Sequence, residues 1–374
     1  MKKRLLFIPL IFLLPMLMMA TTINGIAYTL EVSTKKATVI AKSPQYNGNI
    51  VIPSTIQYNG INYTVTAIGD HAFENCTELT SIDISNTVTS IGELAFYGCS
   101  SLSAIVIPQS VTKIGQGAFA CGFSLSSIEV AGGNQVYDSR EDCQAIIETS
   151  SNTLIAGCSS TVIPGSVTGI GASAFCRAGL TAIVIPEGVT RIGNRAFEQC
   201  SRLTSVTIPK SMKAIGFWTF YGCSNLSSVI LPKGVECIEE STFEACTHLT
   251  LVFIPNSVTS IGFGAFRGCS NLSSIILPAH LEDIGEESFI GCSSLSSVTI
   301  KNPTPSIIDS SVFPYRDKAI LYVPYGGKTT YGAAQVWRDF LHIVEDDSQD
   351  GDLNGDGNIS VADVMMLVDR ILLE

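Results

Sequence analysis

Histidine is scarce in this chain. The 374 residues hold four, His71, His248, His280 and His342, and none has a second histidine at metal-ligand spacing. The H-E-x-x-H, G-x-S-x-G and P-loop motifs are absent, and so are the zinc-hydrolase, serine-hydrolase and nucleotide sites that they build. Acidic pairs such as Glu239–Glu240 and Glu286–Glu287 fall at positions expected to face solvent. The chain is therefore expected not to be an enzyme. Charge is also sparse, at 15% of residues, with 22 Lys and Arg against 33 Asp and Glu. The net charge is −11 and no basic stripe occurs, which argues against nucleic-acid binding. Residues 2–4 contribute +3 and residues 345–374 contribute −8, which leaves −6 for the rest. There is no C-x-x-C, so the twelve cysteines do not suggest a zinc site.

Long apolar runs are missing after the first. Lys2, Lys3 and Arg4 precede the run Leu5 to Ala20, which Pro9 and Pro15 interrupt. This reads as a secretory signal over residues 1–20, cut between 20 and 27. No membrane span is expected once it is removed.

A phenylalanine recurs instead. Phe73, Phe96, Phe119, Phe175, Phe197, Phe220, Phe243, Phe266 and Phe289 are separated by 23, 23, 56, 22, 23, 23, 23 and 23 residues. Around them the chain repeats L-x-S-I-x-I-P-x-x-V-T-x-I-G-x-x-A-F-x-x-C-S-x. A unit this short cannot bury its own apolar face and must stack on its copies. In residues 79–99, Leu79, Ile82 and Ile84 should point inward along a strand, with Val88 and Ile91 forming a second short inward pair. Gly92 should turn the chain, and Ala95 to Cys99 should close the coil as a short helical turn. Glu239 replaces the recurrent glycine in one coil, so that turn should need a small residue rather than a positive φ.

Cys76, Cys99, Cys200, Cys223, Cys246, Cys269 and Cys292 each follow an anchor by three residues, with Cys121 and Cys176 slightly shifted in the same column. A ladder of buried free thiols is expected, although coil spacing would permit neighbours to bond. The 56-residue gap equals one repeat and an insert over 129–161. There Gln144–Thr149 and Thr153–Ala156 read as a hairpin about Ser150 and Ser151. Pairing by that turn would make Cys143 and Cys158 a disulfide candidate.

The repeat resembles leucine-rich repeats, and specifically the bacterial BspA-like group with its I-P-x-x-V-T-x-I-G-x-x-A-F-x-x-C unit. The resemblance implies a leucine-rich repeat solenoid, β-rich with parallel sheets and about ten coils of 23 residues. It also implies a β-rich N-terminal cap over 24–66, repeats over 67–300 and a C-terminal cap over 301–344. As function it implies adhesion: a secreted or cell-surface protein that binds host proteins such as fibronectin or fibrinogen, glycans or other cells. The outward column of the main sheet carries Val184, Thr207, Ile230, Phe253 and Ile276, an apolar strip suited to such contacts.

Residues 345–374 form a separate unit. Asp352, Asn354, Asp356, Ser360 and Asp363 stand at positions 1, 3, 5, 9 and 12 of a loop, Asn358 offers its carbonyl at position 7, and Gly357 allows the turn at position 6. This spacing wraps oxygens around calcium. Val364, Leu367, Val368, Ile371 and Leu372 follow at helical spacing. The EF-hand-like loop–helix resembles a type I dockerin repeat in single copy. That likeness implies calcium binding and, as an alternative role, tethering by a cohesin in an extracellular, polysaccharide-related complex.

Overall fold

The computed structural model describes residues 18–346. They form a parallel β-solenoid of about 12 turns. That is more turns than the nine anchors, because cap strands add to the stack at both ends. Strand Gly48–Ile52 pairs in parallel with Leu79–Ile84, and Ser297–Ile300 pairs with Ile320–Pro324, which pairs with His342–Asp346.

Each coil contributes a main strand, a two-residue second strand and an anchor turn. Main strands pair one repeat apart: Ser228 faces Leu251, and Ser274 faces Ser297. Second strands do likewise, as in Cys237–Ile238 with Ser260–Ile261 and Asp283–Ile284. The closing segment is a turn without the helical backbone expected of it. Leu94 and Gly98 flank Phe96 with φ of 51° and 71°, and Arg195 and Gln199 flank Phe197 in the same way. This alternation aims N–H groups along the stack instead of back into the same coil. Leu94, Phe96 and Gly98 donate to the carbonyls of Gln116, Ala118 and Ala120 at 3.1, 2.7 and 3.0 Å. The third side of the coil is thereby hydrogen-bonded to its neighbour as thoroughly as the strands are.

The recurrent glycine before the anchor does not adopt positive φ, as expected. Its reason is close approach: a Cβ at Gly92 would lie 2.4 Å from the Asp70 backbone nitrogen. The anchor rings stack in two runs, Phe73 to Phe119 and Phe175 to Phe313, with centroids 4.7–5.6 Å apart. Tyr46 covers the first ring, and Trp337 and Phe340 cover the last. Both ends of the aromatic column are thus closed by the caps. In the N-terminal cap Met18–Ile23 pairs antiparallel with Ile26–Glu31, and Ile26 and Ala27 are buried.

The thiol ladder is present. Cys99 Sγ donates to the Phe73 carbonyl at 3.1 Å, and Cys223, Cys246, Cys269 and Cys292 repeat the contact one coil back at 3.1–3.2 Å. Burial pushes the Cys200, Cys223 and Cys246 thiols well above their ordinary value.

The insert forms the expected hairpin, Ala145–Glu148 with Thr153–Gly157. Near the turn Glu148 faces Thr153, but a bulge between Ile146 and Ile147 shifts the register. Cys143 then packs into the C-terminal part of the core and Cys158 into the N-terminal part. Both thiols are free, so the candidate Cys143–Cys158 bridge is not formed.

Gly157 donates to the Ala174 carbonyl at 2.8 Å, the bond that Phe175 makes to Ala196 in the next coil. Gly157 thus holds an anchor position without a side chain, and a Cβ there would lie 2.1 Å from the Phe175 ring. A little further along, Cys121 N–H donates directly to the Cys176 carbonyl at 2.7 Å. The insert is a wedge: it adds a coil on the strand faces and tapers out where these two cysteines meet.

Candidate interaction surfaces

The main strands that carry the expected strip, paired in three separate sets, place it on the outer face of the stack. Val184 lies beside Thr207, Ile230 beside Phe253, and Ile276 beside Thr299. Val184 is 68% exposed, Thr207 is exposed, and Ile230, Phe253 and Ile276 are half-buried. Alternation explains this. Ile183, Val229, Val252 and Ile275 are buried and point inward, so the residues that follow them must point out. Thr299, next in the column, is buried, and its strand pairs with the cap strand that carries Tyr322. The strip therefore ends where the cap begins.

One member was not legible in the repeat count. Val162 is 74% exposed and precedes Val184 by 22 residues, at the same place before an Ile-Pro pair. It borders the insert, yet Thr161-Val162-Ile163-Pro164 already follows the repeat. Val106 extends the column on the far side of the insert, after the interruption at Glu129.

A second surface runs along the exits of the anchor turns. An open groove of about 490 Å³ is lined by Phe123, Arg177, Gln199, Tyr221, Ser224 and Thr247, among others. Arg177 Nε donates to Gln199 Oε1 across two coils. Trp218 packs on Tyr221 with ring centroids 5.0 Å apart, and the Arg195 guanidinium lies 4.6 Å from the centre of the Trp218 ring. The sequence carries a signal for this site: Phe123 stands four residues after its anchor, where Ser201, Ser224 and Thr247 stand in other coils. A lone aromatic in a column of hydroxyls marks the groove wall.

The histidines are dispersed. His71 pairs with Glu74 at 2.7 Å on the surface, and His248 and His280 contact the carbonyls of Ser224 and Asn256. Among the described residues no cluster of His, Cys, Asp and Glu could hold a metal, and no helix is long and apolar enough to cross a membrane. The calcium loop, Asp352 to Asp363, lies outside the described residues.

The family model for the BspA type leucine rich repeat region matches residues 52–143, 147–259 and 238–321, in six copies. A leucine-rich repeat protein from Bacteroides ovatus is 27% identical with a TM-score of 0.54, over 87% of this chain and 76% of that one. A leucine rich cell surface protein from Faecalibacterium prausnitzii is 25% identical with a TM-score of 0.44, over 91% and 98%. The pneumococcal vaccine antigen PcpA is 16% identical with a TM-score of 0.46, over 88% and 99%. No curated protein matches. The repeat of Phe-centred coils, the in-register stack that they build and the matched family model together place this chain in the BspA type leucine rich repeat family.

Proposed function

We propose that this protein is exported and acts by binding other macromolecules, without catalysis, through the outer strip from Val162 to Ile276. The observation that carries this reading is the strip itself: a row of mostly apolar side chains one repeat apart on the outer side of stacked coils. β-Branched residues suit either face of a sheet, which alone would account for Val184 and Ile230. It does not account for Val162, a valine 74% exposed outside any strand. Adhesive partners such as fibronectin or fibrinogen are the class that the family resemblance implies. Surface plasmon resonance of the full mature chain over a panel of matrix proteins and glycans tests the reading. An Ile230→Asp, Phe253→Asp variant should lose at least about tenfold in affinity for any partner found, as expected when a central apolar contact is replaced by a charge. Unchanged affinity would refute the strip.

The tail is proposed to bind calcium through Asp352, Asn354, Asp356, Asn358, Ser360 and Asp363, with docking to a cohesin as its alternative role. Calorimetric titration of the full chain should show a heat that Asp352→Ala with Asp363→Ala removes, and no heat above dilution would refute the site. Signal removal after Ala20 leaves Thr21 to Ile23 paired with the cap. A cut after Ala27 would strip the buried Ile26 and Ala27.

A further inference from the structure

The wedge brings together two cysteines that the ladder does not use. Ladder thiols stand three residues after their anchor and reach back to a phenylalanine carbonyl. Cys121 stands two residues after Phe119, and Cys176 one after Phe175. Neither is in ladder register, and their Sγ atoms lie 2.9 Å apart. Both are buried in a small cluster of their own with Ala120, against the flank of Tyr97 and apart from the two main cores. The backbone bond from Cys121 to Cys176 holds the two segments at the spacing of a paired ladder, which lies within the reach of a disulfide.

We propose that Cys121 and Cys176 are a dithiol that closes to a disulfide, stapling the N-terminal and C-terminal halves of the stack across the insert. The oxidant is a small-molecule or protein disulfide. The Cys121 thiolate attacks one of its sulfurs and releases the first thiol. Cys176 then gives up its proton, attacks the Cys121 sulfur and releases the second. The protein loses two hydrogens and one external disulfide becomes two thiols. The contact between the two sulfurs favours a thiolate in the pair: the hydrogen bond from Cys176 lowers the Cys121 thiol, helped by the Tyr97 hydroxyl and the Arg177 charge, against burial and Glu198. The Cys176 thiol is raised, by its bond to Cys121 and by burial. A nucleophile of this kind reacts near neutral pH, whereas the ladder thiols stay protonated. The cross-link would also fix the groove, because Phe123 and Arg177 flank the two cysteines in sequence.

The test uses the full chain, reduced and unfolded in urea and then refolded in a buffer of oxidised and reduced glutathione. After alkylation in denaturant, peptide mapping should find Cys121 linked to Cys176, while Cys143, Cys158 and the ladder thiols carry the alkyl group. The oxidised protein should melt above the reduced one, and Cys121→Ser or Cys176→Ser should abolish the difference. Alkylation of both cysteines, or a bond from either to another cysteine, would overturn the proposal. An oxidised form that melts with the reduced form would overturn the staple.

Discussion

A single side chain fills the centre of each coil. Phe220 is fully buried, with Phe197 and Phe243 stacked on either side at 5.4 and 5.6 Å. Phe220→Ala should therefore destabilise the protein by about 3–5 kcal/mol, read from urea denaturation, because the neighbouring coils cannot collapse onto the void. A loss under about 1 kcal/mol would mean that the column tolerates gaps. Gly157 is the converse case. It sits where a phenylalanine normally would, and the ring of Phe175 occupies its side-chain space. Gly157→Leu should lower the melting temperature more than Gly165→Leu, since a Cβ at Gly165 meets nothing within 4 Å. The thiols add a pH dependence. Burial raises Cys99 and Cys292 from 9.0 to about 12, so the unfolded chain loses protons first as the pH rises. Stability from these thiols is complete below about pH 9 and is lost as the pH climbs towards 12. The urea midpoint should fall across that window, and less steeply in a Cys99→Ala, Cys292→Ala variant.

At the scale of the element, the strands and the hairpin were legible in the sequence because inward positions alternate and turn residues bracket them. Leu79, Val88 and Ile91 are buried as read, and the hairpin turns where Ser150 and Ser151 stand. Two features were not legible. The anchor turn looks helical because Ala95 to Cys99 has helical spacing, but the left-handed residues at Leu94 and Gly98 redirect its N–H groups to the next coil. The hairpin register depended on a bulge that no residue type announces, and with it went the pairing of Cys143 and Cys158. Tertiary packing decided both. Of the candidate surfaces, the strip could be read by counting repeats, whereas the groove needed five coils side by side. Deleting residues 135–155 should leave the coils on either side folded but remove the wedge. Circular dichroism should retain the β signal.

For the whole molecule, the consequence of stacking is that stability and surface are both extended. Each coil is held only by its neighbours and the caps close the ends, so local damage should spread along the stack rather than unfold a separate globule. The same stacking sets Val184 to Ile276 in line, as the proposed binding through a long strip requires. All of this rests on the coils being in register from one cap to the other, across the wedge. Amide hydrogen exchange followed by mass spectrometry tests that most directly. The anchor turns around Phe96, Phe220 and Phe266 donate their N–H groups to the following coil. They should be slow to exchange and similarly protected on both sides of the insert. Fast exchange at the anchor turns, or protection confined to one side of residues 129–161, would contradict a continuous stack.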